Sequence, residues 1–126
     1  MIVKPSEIKK IEAKLEECSE SFIALGDPMR QKLLLELALA GEDGCNVTEL
    51  TSNHILSRPA ISHHLKILKN AGMVISHKKG TQVYYFVQLK YNLTKIKEII
   101  KIIDGVIENI DTDELKKKAP WMNCEN

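Results

Sequence analysis

Apolar residues near the start of the chain fall at Ile8, Ile11, Leu15, Cys18, Phe22 and Leu25, at intervals of 3, 4, 3, 4 and 3. This spacing predicts a helix from Ser6 to about Leu25 with a narrow, coiled-coil-like seam. Glu12, Lys14, Glu16, Glu17 and Glu20 occupy the remaining faces. So narrow a seam suits a helix lying against one partner helix, either in a dimer or within the chain. Gly26-Asp27-Pro28 then breaks the pattern and restarts it, since aspartate is a good N-cap and proline suits the first helical position. The next helix carries Leu33, Leu34, Leu35, Leu37 and Leu39, is apolar nearly all round, and is therefore expected to be buried. Gly41 ends it before a Glu42-Asp43-Gly44 loop.

Asn46-Val47-Thr48-Glu49 has the form of a capping box, with Asn46 as cap and Glu49 reaching back. It predicts a short helix over about Val47 to Asn53, with Leu50 and Ile55 as inner contacts. A tight turn through His54 and Leu56 leads to Ser57, a second cap, with Pro59 in the first turn beyond it. Ile61, Leu65 and Leu68 follow at i, i+4 and i+7, one apolar face of a helix. Pro59, Ser62, His63, Lys66 and Asn70 share the opposite face, which has hydrogen-bond donors and no acid. Two short helices joined by a turn of three or four residues, the second polar on its outer face, make a helix-turn-helix whose second helix suits a major groove.

Asn70-Ala71-Gly72 stops that helix. Met73 to His77 reads as a strand, Lys78-Lys79-Gly80-Thr81 as a turn, and Gln82 to Val87 as the return strand. A hairpin with two lysines at its tip, placed directly after a helix-turn-helix, is a wing whose lysines can reach phosphates without reading sequence. A last helix from Tyr91 to about Ile110 carries Ile96, Ile99, Ile100, Ile103, Val106, Ile107 and Ile110. This stripe is wide enough to pack on its own domain and on a partner. The predicted fold is mainly α with a small β-hairpin: a dimeric winged helix-turn-helix of four helices, the wing and a fifth helix. Residues 1–25 form an N-terminal dimerisation helix, 26–90 the DNA-binding domain, 91–110 a C-terminal dimerisation helix, and 111–126 a charged, loosely ordered tail.

Charge sharpens this picture. The formal net charge is only +1, yet every carboxylate lies at or before Glu49 or at or after Glu98. Between them stand Arg58, Lys66, Lys69, Lys78, Lys79, Lys90, Lys95 and Lys97. So one-sided a block predicts a positive face suited to a polyanion. No stretch approaches the roughly 20 apolar residues of a membrane span, and Met1-Ile2-Val3-Lys4-Pro5 lacks a signal-peptide core. Cys18, Cys45 and Cys124 are odd in number and widely spaced, which disfavours a disulfide framework and fits a reducing, cytoplasmic setting. A Gly-rich phosphate loop, or paired carboxylates beside a nucleophile, would argue for an enzyme; neither occurs.

Three runs of residues resemble the ArsR/SmtB family of winged-helix repressors: Ala24-Leu25-Gly26-Asp27-Pro28-Met29-Arg30; Leu56-Ser57-Arg58-Pro59-Ala60-Ile61-Ser62-His63-His64-Leu65-Lys66-Ile67-Leu68; and Gly72-Met73-Val74 with Lys79-Gly80 and Tyr84-Tyr85. The resemblance spans Phe22 to Val87. It implies a homodimer that binds an inverted-repeat operator in double-stranded DNA and leaves when an inducer, here unidentified, arrives. It places DNA contacts on Ser57, Arg58, Ser62, His63 and Lys66, to which Pro59 and the wing residues Lys78 and Lys79 are added. The dimer interface is expected at Ile8, Ile11, Leu15, Phe22, Ile99, Ile103 and Val106.

The departures from the family bear on regulation. Where many members carry a Cys-Val-Cys metal-sensing stretch, this chain has Asn46 and Thr48, and Cys45 is one residue off. Its last helix offers Asp104 and Glu108 but no histidine. Zinc-type sites need three or four soft or imidazole ligands at close range, so neither family metal site is expected, nor any cofactor. His63 and His64 are adjacent and point about 100° apart on a helix, which favours DNA contact or packing over chelation. Cys45, in a loop beside a helix N-terminus, is expected to have a lowered pKa and to be the best redox candidate, with Cys18 inert on the seam. Two alternatives stand beside the repressor reading: a thiol-based or non-standard metal sensor, and a winged-helix interaction module without DNA binding.

Overall fold

The computed structural model describes residues 3–109 and 112–122. Its elements are α1 (Pro5–Leu25), α2 (Pro28–Ala40), a 3₁₀ turn at Gly41–Asp43, β1 (Cys45–Asn46), α3 (Val47–Ser52), α4 (Arg58–Asn70), β2 (Val74–Lys79), β3 (Gln82–Val87), α5 (Lys90–Glu108) and α6 (Thr112–Lys118). They form two compact units, one of Cys18–Thr94 and one of the described residues in 1–17 and 95–126.

The larger unit is built on Ala24, Leu33, Leu34, Leu37, Leu50, Ile61, Leu65, Leu68, Met73 and Val74, all buried in one cluster. Local signals set the elements as the sequence predicts. Asp27 caps α2, accepting from Arg30 N at 3.0 Å, and Pro28 follows it. Asn46 caps α3 through a 2.8 Å bond from Glu49 N, but the Glu49 side chain, expected to reach back to Asn46, bonds the Cys45 thiol instead. Ser57 caps α4 through a 3.3 Å bond from Ala60 N. Each cap satisfies an N–H that the helix itself cannot pair.

Four expectations need correction here. Helix α2 is not buried all round: Leu33, Leu34 and Leu37 face the core, while Leu35 and Leu39 point outward, Leu39 at 90% exposure. Leucine favours a helix on every face, but the core lies on one side only. Ile55 makes no inner contact and is fully exposed in the turn before α4. The sheet has three strands, in the order β1-β3-β2, because Cys45 and Asn46 pair antiparallel with Tyr85 and Tyr84. The two lysines are not in the hairpin turn. Strand β2 runs through Lys79, which pairs with Gln82, and the turn is Gly80-Thr81 alone. Gly80 has φ +64°, which lets a two-residue turn close at low cost.

In the smaller unit Ile99 is buried, and Lys14 bridges Glu17 at 3.6 Å and Glu98 at 3.4 Å. Ile8, Leu15, Ile100 and Ile107 are exposed, whereas Ile11, Ile103 and Val106 are half-buried. The expected loose tail contains α6 instead. Asp113 and Glu114 in its first turn and Lys116, Lys117 and Lys118 in its last suit the helix dipole. Trp121 beyond it is exposed. The expected final-helix residue Ile110, and Cys124, lie outside the described residues.

Candidate nucleic-acid interface

Helix α3, the four-residue turn Asn53–Leu56 and helix α4 form the helix-turn-helix. Ile61, Leu65 and Leu68 are wholly buried and fix the rotation of α4 about its axis. That rotation leaves Pro59, Ser62, His63 and Lys66 exposed together, with Ser57 and Arg58 exposed at the helix start. Every α4 position singled out from the sequence is therefore on the solvent side. Arg58 does not extend freely: its Nη1 donates to Thr48 Oγ1 at 3.0 Å, joining the start of α4 to α3.

The wing is fastened to this helix, as Lys69 Nζ donates to Ser76 Oγ at 2.7 Å. Side chains alternate along a strand, so the register puts Ser76, Lys78 and Tyr85 on one face and His77, Lys79 and Tyr84 on the other. Lys79 Nζ lies 5.0 Å from the Tyr84 ring centroid and 5.4 Å from that of Phe86, a cation–π placement. Lys78 and Lys79 thus flank the turn on opposite faces.

Behind α4 stand polar anchors that the sequence reading missed. Arg30 donates from Nε to Ala24 O at 2.8 Å and from Nη2 to Ile23 O at 3.0 Å, covering carbonyls at the end of α1. Its Nη1 lies 3.3 Å from His64 Nδ1. Asp27 Oδ2 is 3.9 Å from the same nitrogen. The N–H of Arg30, followed by its charge, holds the Asp27 carboxyl below its ordinary range. The spacing of Asp27 and Arg30 signals a helix start, but nothing local points to His64. Asn92, at the start of α5, donates from Nδ2 to Ser21 Oγ at 2.7 Å and to Ala71 O at 2.8 Å, joining α1 to the end of α4. His54, in the turn, lies 2.7 Å from Glu36 Oε1 on α2, outside good hydrogen-bond geometry.

The cysteine expectation is overturned. Cys45 sits in strand β1, and its thiol is pushed up rather than down. Burial is the main cause, joined by the Glu49 and Glu36 carboxylates, and Glu49 also hydrogen-bonds the thiol. Burial and two negative charges outweigh the nearby helix N-terminus. Cys18 is buried. Among the described residues, no three of His, Cys, Asp and Glu gather closely enough to hold a metal ion. No helix among them is long and apolar enough to cross a membrane.

A helix-turn-helix with a groove-sized exposed helix, followed at once by a β-wing, defines a winged-helix DNA-binding protein. Residues 27–76 match the family model described as bacterial regulatory protein, arsR family. An uncharacterized HTH-type transcriptional regulator of Methanocaldococcus jannaschii is 40% identical over 72% of this chain and 96% of its own length. The transcriptional repressor SdpR of Bacillus subtilis is 34% identical over 73% of this chain and 94% of its own. The solved ArsR-like transcriptional regulator from Rhodococcus sp. RHA1 superposes with a TM-score of 0.69 at 27% identity, covering 88% of this chain and 97% of that one. The chain belongs to the ArsR family. It is a DNA-binding transcriptional regulator, not an enzyme.

Proposed function

We propose that this regulator is a cytoplasmic repressor that binds an inverted-repeat operator as a homodimer and is released by an inducer. The observation that carries the DNA interface is the outer face of α4, where Pro59, Ser62, His63 and Lys66 are exposed together in a segment free of carboxylates. In this reading Ser57, Arg58, Ser62, His63 and Lys66 contact the groove, with Pro59 packing at its edge. Lys78 and Lys79 hold the backbone. Ile8, Ile11, Leu15 and Phe22 on α1, with Ile103 and Val106 on α5, form the dimer seam. Ile99 is already buried in the monomer, so the outward Ile100 and Ile107 take its place. Two-fold symmetry would set the recognition helices about 34 Å apart, one turn of DNA. The repressor sense is supported by the similarity to the transcriptional repressor SdpR, and the reducing compartment by three scattered cysteines.

The test is fluorescence anisotropy on duplex DNA from upstream of the protein's own gene, in reducing buffer with chelator. Lys66→Ala should weaken binding and flatten the log–log salt dependence by about one unit, the signature of a cation lost from the interface. Arg58→Ala should weaken binding while sedimentation still shows a dimer. Unchanged affinity in both variants would overturn the interface. Salt-insensitive or absent binding by the wild type would favour an interaction module.

A further inference from the structure

The contact between Arg30 and His64 has a chemical consequence for the DNA-facing surface. A guanidinium has donors only. Arg30 Nη1 at 3.3 Å can therefore be bonded to His64 Nδ1 only if that nitrogen offers its lone pair. Asp27 Oδ2, at 3.9 Å, is too far to take a proton from Nδ1 by a hydrogen bond. The arrangement fixes the tautomer whose proton is on Nε2, at the far edge of the ring. The His64 side chain is 18% exposed, and its Nε2 is neither buried nor paired among the described residues. His64 is next to His63, the two ring centroids being 6.2 Å apart, and lies about 100° round the helix from the outward face.

We propose that His64 is a further DNA-contacting residue, donating Nε2–H to a backbone phosphate, and that Arg30 is the positioning residue that fixes its tautomer. The inference rests on α4 being the helix that enters the groove. A residue on the flank of such a helix meets the sugar–phosphate wall rather than the base edges. The donor is neutral, so it adds affinity without displacing a counterion. The contact is therefore blind to sequence and to salt, which separates it from Lys66 and from any base-reading residue.

The experiment uses the full chain with an operator duplex and a scrambled duplex of equal length. Nitrogen-15 spectra of the wild type should show His64 protonated at Nε2 and bare at Nδ1. His64→Asn keeps an acceptor where Nδ1 stood but loses the outward donor; it should weaken binding to both duplexes by the same factor, roughly tenfold, with an unchanged salt slope. His64→Gln restores a donor near the Nε2 position and should bind within about twofold of wild type. In Arg30→Lys, His64 should populate both tautomers and affinity should fall. Adding His64→Gln to that variant should recover affinity, because an amide needs no tautomer set for it. The opposite tautomer in the wild type would overturn the proposal. So would wild-type affinity for His64→Asn, or equal losses in the Asn and Gln variants accompanied by lower melting temperatures. Ser62→Ala and Lys66→Ala serve as controls: if they too leave binding untouched, it is the α4 interface itself that fails.

Discussion

Truncating Asn92 to alanine should destabilise the larger unit through a junction that no apolar count would find. Asn92 is 5% exposed and Ser21 is 7% exposed, so the bonds from Asn92 Nδ2 to Ser21 Oγ and Ala71 O are sheltered from water. Ala71 is the first residue after α4, and its carbonyl belongs to the group that a helix end leaves unpaired. Removing the amide strands that carbonyl, at a cost of about 1–3 kcal/mol for a buried polar group without a partner. The Ser21 hydroxyl can rotate, so its loss falls at the low end of the same range. Asn92 Oδ1 is itself unpaired among the described residues, and deleting it returns part of the cost. The net is about 2–3 kcal/mol, which for a chain of this size lowers the melting temperature by roughly 10 °C. Circular dichroism melts at one fixed protein concentration measure it, since dimerisation would make the midpoint depend on concentration. A double-mutant cycle supplies the sharper reading. Ser21→Ala should cost less in the Asn92→Ala background than alone, with a coupling of about 1 kcal/mol. A midpoint unchanged within about 2 °C, or strictly additive losses, would refute the reasoning.

Two further outcomes concern the segment between α2 and α3. Gly44→Ala should destabilise by about 2–4 kcal/mol in denaturant titration, because Gly44 has φ +66° and ψ −176° and a Cβ there would lie 2.7 Å from Phe86 Cε1 and 2.8 Å from Tyr85 O. A wild-type midpoint in that titration would contradict the packing. The Cys45 thiol should alkylate more slowly at neutral pH than a cysteine of the unfolded chain, followed by intact mass after short iodoacetamide pulses. Because its folded pKa is raised, its contribution to stability is present below the unfolded thiol pKa and is lost as pH rises through the folded value. Glu49→Gln should speed the reaction, and equal rates in both proteins would remove the carboxylate from the explanation.

What the sequence discloses is what short-range chemistry decides. Asp27, Asn46 and Ser57 act as caps because each bonds an N–H three residues away, and the outward face of α4 follows from the spacing of Ile61, Leu65 and Leu68. The remaining features depend on partners far along the chain. Strand β1 has only two residues and exists because β3 offers it an edge, so no periodicity announces it. Arg30 finds His64 34 positions on, and Asn92 finds Ser21 71 positions back. The Cys45 thiol departs from expectation because a helix N-terminus is visible in sequence, whereas the burial that mainly raises the thiol, and the approach of Glu36, come only with the fold. The leucines of α2 misled in the opposite direction, since composition cannot say which side of a helix has something to lie against.

Strand β1 ends at Asn46, and α3 begins at the next residue. The first helix of the helix-turn-helix therefore continues directly from an edge strand of the wing sheet, which is itself paired to the middle strand β3. Lys69 ties the second helix to the same sheet from the other side. Tied to one sheet from both sides, head and wing are expected to act as the two jaws of a fixed-gap gauge. A duplex bound by such a gauge would have to conform to it. Binding sites should then differ in strength according to how cheaply their flanks adopt the spacing the gauge imposes, at base pairs no side chain touches.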